Sequence, residues 1–408
     1  MNSNMHKEKI NSPSRDVWRR MKKNPLAMAG ISIVSLSVFI SIFAYVVMPD
    51  STPMANEMSL PLSIKKPGFH VEMIWLRKNK LIEKPSWISA FFFGEESKFE
   101  KIPIQKYAFN GADLIYEEYA PGRKNSSPMH INLADAVYDI SADAPEVLAK
   151  NDSLFFQDMQ GLFHRESIAS LRMQIQKNQI NQRTFLLGTD RFGRDLFSRL
   201  IAGTRVSLAV GLISVIISLF IGLGLGSIAG FYRGWVDNGV MWLINVVWSI
   251  PTLLLVIAIT LALGKGFWQV FVAVGLTMWV DVARVVRGQI FSVREMEYVE
   301  AGHALGFTNR RIIIRHILPN ILGPVIVIAA SNFASAILLE AGLSFLGMGA
   351  QPPMPSWGVM IKENYGYIVV DAAYLAVFPG IAIMLLVLAF TLLGNGLRDA
   401  LDKKAVRR

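Results

Sequence analysis

The chain has 408 residues, of which 52% are hydrophobic and 18% charged, with a formal net charge of +10 and no cysteine. Soluble domains carry about 25% charged residues, so this balance points to a membrane protein. The absence of cysteine excludes a disulfide framework, an iron–sulfur site and a cysteine-based zinc site.

About 20 apolar residues rising 1.5 Å each cross a bilayer core. Six runs meet that length, at 27–48, 205–231, 239–263, 268–284, 321–345 and 374–396. The first follows a polar segment, 1–26, and exceeds the 7–15 apolar residues of a signal peptide, so it is predicted to be an uncleaved anchor. Lys and Arg near span ends set orientation. Arg19, Arg20, Lys22 and Lys23 precede the first run. Arg284, Arg287, Arg294, Arg310, Arg311 and Arg315 fall between the fourth and fifth, and Arg398, Lys403, Lys404, Arg407 and Arg408 follow the last. All three clusters lie on one side if both termini are cytoplasmic, and the short loops at Lys265 and Lys362 then lie outside. The positive charge is accounted for largely by topology and anionic headgroups, with Arg191, Arg194, Arg199 and Arg205, outside and just before the second run, as the exception. A lipid bilayer is the expected partner, and nucleic acid is not.

The expected fold class is an all-α polytopic membrane protein of six transmembrane helices with a small α+β extracytoplasmic insert. The insert is residues 50–184 and the core is 185–397, with a cytoplasmic loop at 285–320 and a tail at 398–408. Within the insert, Asn110-Gly111 separates two alternating runs and predicts a type I′ hairpin. Residues 155–175 show helical apolar spacing at Leu162, Ile168, Leu171 and Ile175. Two roles stay open for the insert, a spacer or a docking element for a partner protein.

Before the second run, Asp190 and Asp195 bracket Gly193. Asp190 is expected to cap a helix starting near Arg191, or to contact a partner. The glycines of GLGLGSIAG, 222–230, suit close helix packing. Pro251 and Pro379 fall inside the third and sixth runs and predict kinks, as hinges of a gate or as fixed bends.

The loop residues REMEYVEAGHALG, 294–306, predict a thin amphipathic helix. Tyr298, Ala301, Leu305 and, more loosely, Gly302 share a face, and Glu300 offers an acceptor at its edge. Pro319 then ends a basic approach to the next span. From the residues alone, an interfacial helix with small residues for close packing stands beside a docking element.

The fifth run carries Ser331, Asn332, Ser335 and Glu340. The first three suit a polar passage or hydrogen bonds between helices. Glu340 suits a translocation route or outer gate, with interfacial exposure or pairing to the arginines of 191–205 as the alternatives. The stretch GAQPPMPSWG, 349–358, reads as a stiff outer turn with Trp357 at the interface. The histidines show no metal-ligand spacing, and no protein-bound metal is expected.

The segment EAGHALGFTNRRIIIRHILPN, 300–320, resembles the Glu-Ala-Ala loop of ATP-binding-cassette importer permeases. Glu300, Ala301, Gly306, Leu318 and Pro319 match that pattern in type and spacing. Gly302 replaces the usual second Ala, and His316 stands where Ile is usual, a variation familiar in the peptide subgroup. RDVWRRMKKNPLAMAG, LGTDRFGRDLFSRLIAGTRVSL and LLEAGLSFLGMGAQPPMPSWGVMI resemble blocks of the C-type subunit of dipeptide/oligopeptide (peptide/nickel) permeases. Together with the last five runs this covers about two thirds of the chain, and the insert is longer than the family pattern.

The resemblance implies a type I importer permease fold and a multi-pass subunit in the inner membrane of a bacterium or archaeon. Glu300, Ala301, Gly302, Leu305, Gly306, Leu318 and Pro319 would couple it to ATPase closure. It implies a homologous second permease subunit, most simply as a heterodimer, two ATPase subunits and an extracytoplasmic solute-binding protein. The chain contains no G-x-x-x-x-G-K-[ST] phosphate loop, so no cofactor is expected on it, and ATP and Mg are expected on the partner ATPases. The chain itself is then a non-catalytic subunit. Peptides are the expected cargo, with nickel chelates, glutathione and peptide antibiotics as alternatives within the family. A secondary transporter would want paired mid-membrane ionisable residues and repeated halves. A membrane enzyme would want a nucleophile–base or metal constellation.

Overall fold

The computed structural model describes residues 13–121, 127–140, 147–264 and 266–401. Lys265, Lys403, Lys404, Arg407 and Arg408, used above for orientation, lie outside them. The chain divides into two compact units. One comprises Met1–Ser41, Gly203–Lys362 and Phe378–Arg408, the other Ile42–Ala202 and Glu363–Val377.

In chain order the elements begin with helices α1 (Pro13–Met21), α2 (Pro25–Ile42) and α3 (Ala44–Val47). Next come β1 (Phe69–Arg77), α4 (Trp87–Phe93), β2 (Phe99–Asn110), β3 (Asp113–Glu118), β4 (Met129–Asn132) and α5 (Leu133–Val137). They are followed by β5 (Leu148–Lys150), β6 (Ser153–Gln157), β7 (Phe163–Ser167), α6 (Ile168–Gln174) and β8 (Ile180–Phe185). The rest is helical: α7 (Leu196–Tyr232), α8 (Gly234–Trp248), α9 (Thr252–Leu263), α10 (Phe267–Val293), α11 (Glu297–Ala304), α12 (Asn309–Ile312), α13 (Leu318–Phe345), α14 (Trp357–Asn364) and α15 (Tyr374–Leu401).

The second unit holds an antiparallel five-stranded sheet in the order β4-β3-β2-β1-β8 and a three-stranded sheet, β5-β6-β7. Strand β1 shows why the large sheet is stable. Successive side chains alternate faces, so Val71 and Met73 join Leu62 and Phe185 on one side, while Ile74 and Leu76 join Leu114, Leu133 and Leu171 on the other. Strands β1 and β8 are neighbours, with Phe69 opposite Phe185. The two ends of the strand-containing segment therefore lie side by side.

Two local expectations change here. In the β2–β3 hairpin Asn110 pairs with Asp113, so the turn residues are Gly111 and Ala112. Gly111 has φ 55° and Ala112 is not in the left-handed region, the φ signs of a type II′ turn rather than type I′. The stretch 155–175 is helical only from Ile168; before that it forms the β6–β7 hairpin. Asp158 fixes that turn, its carboxylate accepting the N–H groups of Gln160 and Leu162, and Gly161 supplies φ 83°.

Helix α7 begins at Leu196, not near Arg191, and its cap is Asp195. The Asp195 carboxylate accepts the Ser198 N–H at 3.0 Å and the Ser198 hydroxyl. Asp190 instead folds the preceding loop, accepting the N–H groups of Phe192 and Arg194 and pairing with the Arg194 guanidinium at 2.7 Å. Glu363 completes that cluster at 3.1 Å from Arg194 and 3.7 Å from Arg199, and both arginine side chains are 2% exposed. Arg191, Arg194 and Arg199 are thus faced by Asp190 and Glu363, and Glu340 has no part in that cluster.

In the first unit, α7 seats its glycine stripe on α10. A Cβ at Gly222 would meet Val282 at 2.5 Å, at Gly226 the Ala283 carbonyl at 2.6 Å, and at Gly230 Ile290 at 2.9 Å. The four-residue spacing puts the three glycines on one face, and close packing of the two backbones follows. Among the described residues five helices are long and apolar enough to cross a membrane, six if α8 and α9 are one broken span. That break, at 249–251, bends the chain by 90°. Pro251 lacks the N–H that would continue α8 and is extended, with ψ 124°. Pro379 sits inside the continuous α15. Trp357 is buried at 3% exposure under Gly203 instead of lying at an interface.

Candidate functional site

The loop after α10 is built around a short helix with two unlike faces. Helix α11 turns Val299 and Gly302 inward and leaves Tyr298, Glu300, Ala301, Ala304 and Leu305 exposed. Val299 packs with Phe231 at the end of α7, with Val286 and Ile290 of α10, and with Ile312, Ile317 and Ile321. His303 stacks on Phe231, centroids 6.0 Å apart. Gly302 therefore belongs to the seating face and not to the face of Tyr298, Ala301 and Leu305. A Cβ there would meet Ile312 and Phe307 at 3.6 Å, ordinary contact, so space does not require glycine.

The end of α11 explains Gly306. The Gly306 N–H donates to His303 O at 2.9 Å and the Phe307 N–H to Gly302 O at 3.0 Å. These are the two bonds of a Schellman cap, whose C′ residue must be left-handed, and Gly306 has φ 73°. Leu305 stands next to it at 71% exposure. The Glu300 side chain makes no hydrogen bond or ion pair among the described residues. The exposed face thus offers a carboxylate, two alanines and a leucine on a helix whose other face is fixed.

Helix α12 begins at a Thr308 cap, the hydroxyl accepting the Arg311 N–H. One wide π turn, Ile313–Ile317, joins α12 to α13. Pro319 stands just inside α13, where its missing N–H follows that wide turn. The helical run continues from Asn309 to Phe345, so Pro319 does not end the basic approach; Leu318 and Pro319 lie within it. His316 stacks on Phe307 at 5.7 Å, and the Arg311 guanidinium lies 3.9 Å from the centroid of the same Phe307 ring. The sequence reading missed Asn320. Its side-chain amide donates to Tyr298 Oη at 3.2 Å and to His316 O at 2.6 Å. It ties α11 directly to the base of α13, and its place beside Leu318-Pro319 was the only signal.

The polar residues of α13 separate. Asn332 is buried and donates to the Met278 carbonyl of α10 at 3.3 Å, a helix-to-helix bond. Ser331 and Ser335 are exposed on one face. Ser335 lines a cavity of about 310 Å³ with residues of α8, α9 and α10. Glu340 is 1% exposed and accepts the Ser344 hydroxyl at 2.6 Å. It is neither exposed nor brought to the cavity. Asp281, overlooked inside the fourth apolar run, lines that cavity. Among the described residues no group of three metal-ligating side chains is found.

Comparison with known proteins gives a consistent result. The model of the family described as binding-protein-dependent transport system inner membrane component matches residues 222–407. The N-terminal transmembrane domain of oligopeptide transport permease C matches 12–61. A glutathione transport system permease protein of Pectobacterium atrosepticum is 44% identical over 218 residues, 53% of this chain and 72% of that protein. A dipeptide transport system permease protein of Alkalihalophilus pseudofirmus is 45% identical over 217 residues, 53% of this chain and 71% of that one. Among solved structures, an inward-facing methionine ATP-binding-cassette transporter covers 52% of this chain and 98% of its own, with 20% identity and a TM-score of 0.41.

Proposed function

Because the chain belongs to the peptide and nickel family of ATP-binding-cassette importer permeases, we propose that it imports short peptides and takes its driving force through α11. ATP and Mg act on two separate ATPase subunits. A homologous second permease completes the membrane pathway, and an extracytoplasmic solute-binding protein delivers the cargo. The dipeptide and glutathione in the names of the relatives are both short amide-linked amino-acid chains with a charged amino group and charged carboxylates, and this supports a peptide cargo.

The observation that carries the reading is the two-faced α11. Glu300, Ala301 and Leu305 are presented outward while Val299 and Gly302 are locked against α7, α10 and α12. A partner that moves this helix moves the ends of two apolar helices with it. Asn320 gives the same displacement a direct route into α13. Leu318 and Pro319 act there as the base of that helix, and Gly306 as the cap that fixes where α11 stops. Ser331 and Ser335 belong, in this reading, to the translocation path, which their exposure on one face of α13 supports. In this reading α11 and both termini are cytoplasmic, and residues 50–184 form an extracytoplasmic α+β domain.

Affinity purification of the intact complex from membranes tests the proposal. Two ATPases and a second permease should co-purify, and reconstituted vesicles supplied with the solute-binding protein should take up peptide only with ATP. A chain that purifies alone and transports without ATP would overturn it.

A further inference from the structure

One carboxylate sits halfway along an apolar helix with no hydrogen-bond or close ion-pair partner among the described residues, its only nearby charge being Arg284 one turn on. Asp281 stands fourteen residues after Phe267, about 21 Å along the axis of α10, and twelve before Val293. It is exposed, and among the described residues it forms no hydrogen bond or ion pair. The nearest cation on its own helix, Arg284, lies over the indole of Trp248, 3.6 Å from the ring centroid. A carboxylate at such a depth is costly against lipid and is retained where it meets an aqueous cavity or a fixed partner.

The cavity of about 310 Å³ supplies the first. Asp281 shares its wall with Ser335 of α13, with Val247 and Trp248 at the end of α8, with Ile250 in the break, and with Thr252 at the start of α9. The break matters electrostatically. The C-terminal end of a helix carries partial negative charge on carbonyls that have no helical partner. Irregular backbone at membrane depth is tolerated where it lines a cavity. Here the last residues of the fifteen-residue α8 line the same space as Asp281. The Asn245, Val246 and Val247 carbonyls accept from the Ser249 N–H, the Ser249 hydroxyl and the Ile250 N–H, so α8 contributes the negative end of its dipole and Asp281 the charge, and both favour a cation. The other lining groups are hydroxyls and apolar side chains. A metal ion would want several oxygen or nitrogen ligands, and only one carboxylate is present. A protonated amine needs one carboxylate and a few acceptors, with apolar walls for the carbon chain behind it.

We propose that Asp281 and the carbonyl end of α8 form a cation-recognition point that receives the protonated amino group of a peptide during translocation. It rests on the importer reading and names the group by which the pathway holds its cargo. Asp281 touches the cargo, and Ser335 lines the same space.

The chain has no cysteine, so Ser335→Cys gives it a single thiol, whose labelling is read on this chain after the purified complex with its partner subunits is separated. The probes are two thiol reagents of equal size, a cationic and an anionic alkylthiosulfonate. The cationic one should react about tenfold faster, the factor that roughly 1.4 kcal/mol of local potential supplies. Adding Asp281→Asn should remove the preference. Equal rates with Asp281 in place, or no reaction of Cys at 335, overturn the proposal. Trialanine uptake by reconstituted complex is the second measurement. Asp281→Asn should lower the maximal rate about tenfold without altering the half-saturating receptor concentration, and Asp281→Glu should restore most of it. Loss of the second permease from the Asp281→Asn complex would instead identify a partner-subunit pair and overturn the assignment. Failure of the unmodified complex to transport any peptide with ATP would overturn the importer reading itself. The thiol-reagent preference is measured without transport, so the two failures are distinguishable.

Discussion

The Phe307 N–H donates to the Gly302 carbonyl at 3.0 Å, and this bond fixes where α11 ends. It closes only because Gly306 between them takes φ 73°. Replacing Gly306 with Leu should strain the cap by about 1 kcal/mol or more and misplace Leu305. ATPase activity of the reconstituted complex should then persist while peptide uptake falls at least several-fold. Gly306→Asn, which tolerates the left-handed region, should retain more uptake. Equal coupling in the Leu and unmodified complexes would refute the role of this cap.

Glu300 is exposed and unpaired among the described residues, so its substitution should leave the fold intact. Glu300→Lys should lower ATP-driven uptake without changing insertion or thermal stability of the permease. A fall in thermal stability equal to that of a core substitution would place Glu300 in the fold instead of on the docking face.

Gly302 offers the opposite expectation. A Cβ meets Ile312 and Phe307 at 3.6 Å, and glycine inside a helix costs roughly 0.5–1 kcal/mol relative to alanine. Gly302→Ala should therefore preserve uptake and raise local stability slightly, seen as slower amide exchange across 297–304. Gly226→Leu should do the reverse. Its side chain would run into the Ala283 carbonyl, and α7 and α10 should separate, with loss of folded protein in detergent.

Arg194 and Arg199 depend on Glu363 and Asp190 for charge balance in a site where both arginine side chains are 2% exposed. Removing one member leaves an uncompensated buried charge, which costs roughly 3–5 kcal/mol. Glu363→Gln should lower the unfolding midpoint markedly, measured by a thermal shift of the purified complex. A shift within error of the unmodified protein would show the network to be dispensable.

A pH dependence follows from Glu57. Burial pushes its carboxyl up, but Lys101 at 2.9 Å and Arg183 at 2.8 Å outweigh that and hold it below the usual glutamate value. A lowered folded pKa means the unfolded chain binds the proton more readily. The stabilisation is complete above the ordinary glutamate range and is lost as pH falls through the lowered folded value. Denaturation of the strand-containing unit between pH 6 and acid, read at several pH values, should show this slope. Glu57→Gln should flatten it.

Amino-acid order alone settled the membrane character, the apolar runs and the family blocks, because these depend on local composition and spacing. Gly306 was legible only as a match to the Glu-Ala-Ala pattern, and its part as a left-handed cap appears in the bonds around it. Tertiary packing decided the rest. Gly302 shares helical spacing with both faces of α11, and only Ile312, Val299 and Phe307 show which face is seated. Asp190 and Asp195 look alike in sequence, yet one pairs with Arg194 and the other caps α7, because the helix start depends on where Ser198 is held. Pro251 breaks its helix by 90° while Pro379 leaves its own intact, a difference set by each proline's surroundings. Asp281 passed as one charge in an apolar run until the break beside Trp248 placed it on a cavity. Periodicity records which residues can share a face; burial of side chains distant in sequence selects the face that is used.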